Sequence, residues 1–517
     1  MRRFFFVLLI TVFIFTISCR ERNNEYVTVA LSEKFSTLDT LTSTASDAAA
    51  DRVRTLMFNS LVRKNENFEY VGELAKDIQT SPDGKAITFV LQDNVKFHNG
   101  KNLTSADVKH TFDELFKSGG FKSGAFFDTV ADKKEPHITS IETPDEKTVV
   151  FNISRPALKN QLLSNLVTIP IIPEGTAAQQ KTSPIGTGAF KFVNFDQSQN
   201  NVELQANTDY WEGAPKIQKL RVKTVSDANS LQAELQSGNV DIAPLPTNLS
   251  PDTLKSLEKN PNLKVEQFKG SNIQYLGFNT QAPVVDSVKV RQAIAYAINR
   301  EKIINELLFG QATLAHSILP AESWAYVPGT QYNYDPAKAR QLLQEAGYKN
   351  ELIKFNFSAG QSAVSQYSQV IQNALNEIGL NIQIEPLESN VMRQQLSQGQ
   401  FQMNTGIWVG GNQDPIFFRD LFSTSKIPND KTKVSCCNRS RYSNPEFDAI
   451  IEQAFNETDR GKAKELYAKA QEIISNDLPL FPLWYPSNMV VATTRINNIK
   501  ISSSGDWSFI KDVTVSN

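Results

Sequence analysis

The chain has few of the residues from which catalytic and metal sites are commonly built. Its 517 residues include 3 cysteines and 4 histidines. The histidines form no HExxH or HxH pattern, and no cysteine pair has the spacing of a zinc site. Walker, GxGxxG and GxSxG motifs are also missing, and residues 186–188 form a glycine turn without the rest of a nucleotide-binding pattern. We therefore expect no enzyme activity, no catalytic residue, no metal and no cofactor.

The chain also lacks an excess of charge of either sign. Its formal net charge is -2, with 21% charged and 40% hydrophobic residues. This balance argues against nucleic acid as a partner, because neutralising a phosphate backbone requires a basic surface. A length of 517 residues exceeds what one compact core commonly serves, so two or three lobes are expected.

One long apolar run is found at the start, where Arg2 and Arg3 precede residues 4–17. Those 14 residues are too few for a helix that crosses a bilayer, which needs about 20. A basic start, a short apolar segment and a small residue predict a signal peptide over residues 1–18, rather than an uncleaved anchor helix. The segment FTISC at 15–19 resembles a bacterial lipobox, with Thr16 departing from the usual aliphatic residue. The resemblance implies that Cys19 is acylated and that the protein is anchored in the periplasm or on the cell surface.

Beyond Cys19, the remaining cysteines are the adjacent Cys436 and Cys437. Disulfide geometry requires suitably separated and directed Cβ atoms, which neighbours in sequence provide only in a strained ring. We interpret them as two loop cysteines without chemistry, with a functional vicinal disulfide as the alternative.

Strand and helix patterns alternate to the end of the chain without repeats or low-complexity segments. Runs rich in β-branched and aromatic residues predict strands at 26–31, 87–91, 148–151 and 380–384. Asp335-Pro336 and Gly347 predict a helix with an N-cap, an early proline and a glycine at its end. Apolar i,i+4 pairs between residues 290 and 308 predict two helices joined near Asn299. The pattern indicates a multi-lobed α/β protein.

Five groups of motifs resemble a bacterial family, and they keep that family's order from about residue 26 to 490. They are SPDG (81–84) with TFVL (88–91), VKFHNG (95–100) and LTSADV (103–108); PIGTGAFKF (184–192); VRQAI (290–294) with AINRE (297–301); DPAKARQLL (335–343) with AG (346–347); and YSNPEFD (442–448) with AKAQEI (468–473). Together they resemble the extracellular solute-binding proteins of family 5, the substrate-binding proteins of peptide and nickel ABC transporters.

The resemblance implies a periplasmic-binding-protein-like α/β fold with two large lobes, a hinge and an inserted subdomain. It implies crossovers between the lobes near 270–278 and 480–488. Arg291, Asp107 and Asp335 are interpreted as helix caps and ion pairs within a lobe rather than as ligand contacts. The expected organisation is a signal peptide at 1–18, a lipid-anchored tether at 19–25, lobe I at 26–57 with 186–269 and 488–517, an inserted subdomain at 58–185, and lobe II at 270–487.

The resemblance also identifies a candidate ligand loop. Peptide-binding members carry an aspartate three residues after a tryptophan, where it pairs with the peptide's α-ammonium. In GIWVGGNQDP at 406–415 that position is Gly411, and burying an ammonium without a counter-charge costs several kcal/mol. Asp414 is expected to cap the following helix, with substitution for the missing acid as the alternative. The candidate ligand-binding residues, taken from positions in matching motifs, are Phe35, Thr37, Tyr275, Trp408, Gly410, Gly411 and Asn412.

The implied function is capture of a solute, most often a peptide, between the lobes, followed by delivery to the permease subunits of an ABC importer. A peptide held mainly through its backbone fits this role. The alternatives are a solute without a free amine, such as an oligosaccharide or a metal chelate, and a sensory or surface lipoprotein on the same fold. The expected partners are the solute, the permease and the membrane through Cys19, with the protein itself a monomer.

Overall fold

A computed structural model describes residues 25–44, 47–130, 133–360, 362–408, 414–429 and 437–516. Cys19, Cys436 and three of the candidate ligand residues, Gly410, Gly411 and Asn412, lie outside these ranges. In the described part of the chain, no helix is long and apolar enough to cross a membrane.

The secondary structure alternates throughout the described chain. The strands are β1 (Val27–Leu31), β2 (Val62–Lys64), β3 (Tyr70–Gly72), β4 (Ala75–Thr80), β5 (Ala86–Leu91), β6 (Phe127–Val130), β7 (Lys133–Pro136), β8 (Ile138–Asp145), β9 (Thr148–Ile153), β10 (Phe190–Asp196), β11 (Asn201–Ala206), β12 (Lys219–Thr224), β13 (Ile242–Pro244), β14 (Leu263–Phe268), β15 (Ile273–Phe278), β16 (Ala312–Leu314), β17 (Leu352–Ser358), β18 (Asn381–Leu387), β19 (Met403–Trp408), β20 (Leu480–Pro486), β21 (Asn488–Thr493), β22 (Ile496–Asn497) and β23 (Thr514–Val515). The helices are α1 (Ala48–Met57), α2 (Ser105–Ser118), α3 (Lys159–Leu166), α4 (Ala228–Ser237), α5 (Pro251–Leu257), α6 (Val288–Ala297), α7 (Arg300–Lys302), α8 (Pro336–Glu345), α9 (Ser362–Glu377), α10 (Ser389–Gln398), α11 (Phe417–Phe422), α12 (Pro445–Asn456) and α13 (Arg460–Asp477).

Three larger sheets organise the molecule. Lobe I contains the seven-stranded sheet β10-β11-β12-β1-β13-β21-β14, in which β1 runs parallel to β12 and β13. Lobe II contains the six-stranded sheet β16-β20-β15-β19-β17-β18. The inserted subdomain contains the antiparallel sheet β4-β5-β9-β8. Each of the two larger sheets combines strands that are far apart in sequence, so the chain passes between the lobes through segments of the sheets themselves rather than through a separate linker.

The predicted helix boundaries are confirmed where capping residues set them. The side chain of Asp335 accepts from the Lys338 backbone N–H at 2.9 Å, and Gly347 adopts a φ of 69° just beyond the end of α8. Asn299 caps α7 by accepting from the Lys302 N–H, so the helices do join at this residue. Asp107 accepts from the Thr104 N–H at 2.9 Å in a capping box at the start of α2.

Arg291 is buried within lobe II and binds backbone groups of that lobe. It is 2% exposed, and its guanidinium donates to the backbone carbonyls of Val285, Asp286 and Asp477. A guanidinium carries five donors, so several carbonyls at helix ends can share it. Its partners are backbone oxygens rather than a carboxylate, so the prediction of an ion pair at this residue was wrong.

His98 joins two of the sequence motifs to each other. Its backbone N–H donates to the Gly186 carbonyl at 2.9 Å, and its ring nitrogens lie 3.3 Å from the Gly186 nitrogen and 3.0 Å from the Gly188 oxygen. The ring accepts from the first group and donates to the second, which fixes it as a neutral tautomer with its proton on Nε2. Burial lowers the pKa of His98 to about 4. The KFHNG and PIGTG turns are therefore one structural unit.

The two lobes are connected by two short crossovers that lie side by side. The chain leaves lobe I after Phe268 and enters the lobe II sheet at Ile273, and it returns between Pro486 and Asn488. A Cβ placed on Gly270 would meet the Pro486 carbonyl oxygen at 1.9 Å, so only glycine permits this approach. Asn488 ties the crossovers to the C-terminal segment by donating to the Lys269 and Ser502 carbonyls.

Candidate functional site

A cavity of about 710 Å³ lies where lobe I, the subdomain and lobe II meet. Lobe I contributes the loop before α1 and the first turn of α1, and the subdomain contributes the segment around Phe121 and one side of α3. Lobe II contributes α11 with its flanking residues. Cavities that bind small ligands commonly measure 300–1,000 Å³. The polar and charged residues that line it include Thr37, Asp47, Asp51, Lys122, Gln161, Asn165, Arg419 and Asp420.

A second cavity of about 770 Å³ separates the subdomain from the helices of lobe II. Its subdomain wall is formed by residues 68–71, 80–84 and 156–163, and its lobe II wall by Trp324, Asp414 and residues from 455 to 463. Phe455 lines both cavities, so the two spaces adjoin at this side chain.

A small apolar pocket lies in lobe II between the candidate aromatic residues. Tyr275 and Trp408 line it together with Phe417, and its volume of about 20 Å³ holds no more than a water molecule. The ring centroids of Trp408 and Phe417 are 6.0 Å apart. Phe417 also lines the 710 Å³ cavity, and Asp414 also lines the 770 Å³ cavity. These two residues therefore connect all three spaces.

The structure brings some of the predicted site residues together and separates one from them. Thr37 faces the 710 Å³ cavity, while Tyr275 and Trp408 line the small pocket. Phe35 is 4% exposed and stacks on Phe195 at 5.2 Å, in the core of lobe I rather than on a cavity wall. The position of Phe35 in a motif does not predict whether its ring points toward the cavity or toward the core. The ring packs against Phe195 and therefore lies in the core. Gly410, Gly411 and Asn412 lie outside the described residues.

Lys122 is the most deeply placed cation of the 710 Å³ cavity. Its ammonium donates to Asp51 at 2.7 Å and to the Thr168 carbonyl at 2.9 Å, and Asp51 also accepts from Arg54. Burial lowers the pKa of Lys122 to about 8, and Asp51 offsets part of that effect. This arrangement holds α1 of lobe I against the subdomain beside the cavity.

Every acidic residue that lines these spaces in the described chain already accepts a hydrogen bond or forms an ion pair. Asp47 accepts from Ser36 and Ala50, and Asp420 pairs with Lys426 at 3.3 Å. The remaining acids and the groups that donate to them are Asp51 with the side chains of Arg54 and Lys122; Glu69 with those of Asn65 and Arg460; Asp83 with the Ser81 hydroxyl and the Lys85 backbone N–H; Asp414 with the Tyr70 hydroxyl and the Ile416 backbone N–H; and Glu457 with the Asp459 backbone N–H.

Because Ile416 stands at the N-cap of α11 without a side-chain capping bond, the expected helix cap at Asp414 was wrong. Asp414 lies instead in the turn that precedes the helix. Its Oδ1 accepts from the Ile416 N–H at 3.0 Å, and α11 begins one residue later. Its Oδ2 accepts from the hydroxyl of Tyr70, in the subdomain, also at 3.0 Å. Asp414 is 6% exposed, and burial raises the pKa of its carboxyl group.

Several cavity residues were not predicted from the sequence, namely Tyr70, Lys122, Arg419, Phe455 and Arg460. They are spread along the chain from Tyr70 to Arg460, and none lies in a motif that we assigned. The available signal was their residue type, since Tyr, Phe and Arg dominate binding surfaces. That signal does not distinguish them from the other aromatic residues of this chain.

Cys437 lines the 710 Å³ cavity and is disulfide-bonded. The interpretation of two loop cysteines without chemistry is therefore wrong for Cys437. Among the described residues, no group of three His, Cys, Asp or Glu side chains is arranged to hold a metal ion.

Comparisons with known proteins agree with the motifs. The family model of bacterial extracellular solute-binding proteins, family 5 (middle), matches residues 69–430. Heme-binding protein A of Haemophilus influenzae is 28% identical over 511 residues, covering 94% of this chain and 91% of that protein. The substrate-binding protein CtaP of Listeria monocytogenes is similar in structure with a TM-score of 0.83 and 22% identity, covering 95% of this chain and 99% of that one. DppA of Helicobacter pylori, solved with the peptide STSA, gives a TM-score of 0.74 and 26% identity, covering 95% and 98% of the two chains.

The predicted resemblance and fold class are thereby confirmed. Members of this family are substrate-binding transport proteins that work outside the cytoplasm. The chain belongs to the bacterial extracellular solute-binding proteins of family 5 and has the fold of the periplasmic binding proteins.

Proposed function

We propose that this protein captures peptides in the cleft between its lobes and delivers them to the permease of an ABC importer. The observation that carries the proposal is a pair of adjoining cavities of about 770 and 710 Å³, walled by lobe I, the subdomain and lobe II. Together they offer room for a ligand longer than two residues. The DppA relative binds the tetrapeptide STSA on the same fold, which supports a peptide of this size.

The proposed ligand contacts are those predicted from the motifs, apart from Phe35. Thr37 faces the larger space, and Tyr275 and Trp408 offer an aromatic wall if the small pocket opens around a ligand. Gly410, Gly411 and Asn412 stay predictions, as do the domain boundaries given above. Lobe closure around the ligand is the event that the permease recognises.

We further propose that Cys19 is acylated after removal of residues 1–18 and that residues 19–25 tether the folded part to the membrane. The support is the sequence of the first 19 residues together with the extracytoplasmic location of family members. Metabolic labelling with a palmitate analogue tests this, since Cys19→Ser is expected to abolish labelling and release the protein from the membrane fraction.

A second candidate ligand is a large planar or chelated solute such as heme. The observation that favours it is the relative named heme-binding protein A, aligned over 94% of this chain. Phe417, on the wall of the 710 Å³ cavity, offers a ring on which such a solute can stack.

A thermal-shift screen of ligand-stripped protein distinguishes these candidates. The panel contains pools of di- to octapeptides, heme, oligosaccharides and metal chelates. Ligand at 100 times its dissociation constant stabilises the folded state by about 2.7 kcal/mol, a readable shift. We expect the tetrapeptide and longer pools to raise the melting temperature. A shift with heme or a chelate and none with any peptide pool would show that the peptide assignment is wrong.

A further inference from the structure

Asp414 offers the ligand little of its carboxylate, because the residue is only 6% exposed and each oxygen already accepts a hydrogen bond. Oδ1 accepts from the Ile416 N–H and Oδ2 accepts from the Tyr70 hydroxyl, each at 3.0 Å. The first bond lies within lobe II, whereas the second crosses from lobe II to the subdomain. A carboxylate that anchors a ligand's ammonium needs an oxygen directed at the ligand, so this geometry favours a different role.

The subdomain side of this contact is a short hairpin that presents two side chains to lobe II. In the pairing of β2 with β3, Lys64 lies opposite Tyr70, so both side chains project from the same face. The Lys64 ammonium lies 5.4 Å from the Tyr70 ring centroid, is buried, and has no hydrogen-bond partner within the described part of the chain. Burial lowers the pKa of Lys64 to about 8, and the charge that opposes this effect is that of Asp414. Lys64 therefore supplies a counter-charge to Asp414 from across the cleft.

A second contact lies one residue away. Glu69 pairs with Arg460 of α13 at 3.0 Å, and the Arg460 guanidinium lies 5.1 Å from the Trp324 ring centroid. The two charged side chains are 40% and 58% exposed, and exposed pairs of this kind contribute little. A hydrogen bond to a buried carboxylate contributes more, so the contact between Tyr70 and Asp414 dominates.

We propose that Asp414 and Tyr70 form a clasp that holds the subdomain to lobe II in the closed state, and that the ligand is bound without pairing of its α-amine to a carboxylate. The inference rests on the proposed function and narrows its substrate class to peptides held through their backbone, with the amine free or blocked. Two further observations support it. The acids that line the described cavities are all engaged within the chain, and residues 409–413 of the candidate loop contain no acid.

The test compares a mixed tetrapeptide pool with the same pool after N-acetylation, by titration calorimetry. Tyr70→Phe removes the clasp and keeps the carboxylate, whereas Asp414→Asn removes the charge and keeps an oxygen for the Ile416 N–H. Tyr334→Phe is the matched control, because Tyr334 is 50% exposed and lines none of the three spaces. Small-angle scattering of ligand-free protein measures closure without any ligand.

The clasp predicts that the wild type binds both pools with similar affinity. Tyr70→Phe and Asp414→Asn are expected to weaken both pools by about tenfold, since a smaller closed fraction reduces affinity for every ligand alike. Tyr334→Phe should change neither. The inference is overturned if acetylation abolishes binding to the wild type, or if Asp414→Asn weakens only the free-amine pool while Tyr70→Phe has no effect.

Failure of the proposed function gives a different result. If neither pool binds the wild type, the peptide assignment is wrong, and the scattering experiment decides whether the clasp exists. A larger radius of gyration for Tyr70→Phe than for the wild type and the Tyr334→Phe control supports the clasp. An unchanged radius overturns it.

Discussion

At the scale of single residues, buried polar side chains of this protein hold separate segments of the chain together through hydrogen bonds to backbone groups. His98 satisfies both ring nitrogens with backbone groups of the Gly186 turn. Arg291 and Lys122 likewise donate to backbone carbonyls from buried positions. Buried polar groups are stable only when paired, so each of these side chains fixes the segments that supply its partners.

His98 gives stability a defined pH dependence. Its folded pKa of about 4 lies below the ordinary value of 6.5, so between these pH values the unfolded chain binds a proton that the folded chain does not. Stability is therefore fully present above pH 6.5 and declines as the pH falls toward 4, by about 3 kcal/mol on the scale of 1.4 kcal/mol per pKa unit. Urea unfolding of the wild type and of His98→Gln at intervals from pH 7 to pH 4 measures this.

The variant is expected to be less stable than the wild type by about 2 kcal/mol at pH 7, because a donor and an acceptor lose their partner. The difference should shrink as the pH is lowered. Parallel stability curves for the two proteins over this range would contradict the assignment of a neutral, buried ring.

The limits of sequence reasoning are also clearest at this scale. The helix ends at Asp335 and Asn299 were predictable, because capping uses residues within one turn. Phe35 was placed wrongly, since its neighbour Phe195 is 160 residues away. Tyr70 and Asp414 each have an ordinary local sequence, and their contact exists only once the lobes are assembled. Local chemistry was therefore predictable, and long-range pairing was not.

At the scale of secondary-structure elements, the crossover between β14 and β15 depends on the absence of a side chain at Gly270. The Pro486 carbonyl oxygen occupies the space that a Cβ would take, at 1.9 Å. Alanine at this position must push the two crossovers apart, which overpacks a tightly fitted contact.

Gly270→Ala is expected to reduce the free energy of unfolding by about 1–3 kcal/mol. Gly124→Ala is the matched control, since a Cβ at Gly124 would meet no atom within 4 Å. Chemical unfolding of both variants alongside the wild type measures the difference. Equal stability of the Gly270 and Gly124 variants would show that the crossovers can move apart freely.

At the scale of the whole molecule, the hydrophobic core is divided. One cluster spans lobe I and the subdomain, and another lies wholly in lobe II among residues such as Phe278, Phe355 and Trp484. Ile416 and Phe455 of lobe II join the first cluster across the cleft. Two cores joined by short crossovers and a few such contacts need not unfold together.

Scanning calorimetry is expected to show this division. Without ligand, the calorimetric enthalpy of unfolding should exceed the van't Hoff enthalpy, because one clasp hydrogen bond and a few apolar contacts are too weak to make the two cores melt as one unit. A saturating ligand bridges the lobes, so the two enthalpies should converge and the transition should sharpen. A single two-state transition in the stripped protein would mean that the clasp and the apolar contacts already couple the lobes.

The adjacency of Gly270 and Pro486 means that lobe II begins and ends at one point on the surface of lobe I. Lobe II is thus inserted into the chain of lobe I, and the two ends of lobe I at the insertion point lie next to each other. An exchange of residues 270–487 between homologues requires only that two neighbouring peptide segments match at the junction. Such grafts offer a way to change ligand preference while the rest of the protein is kept.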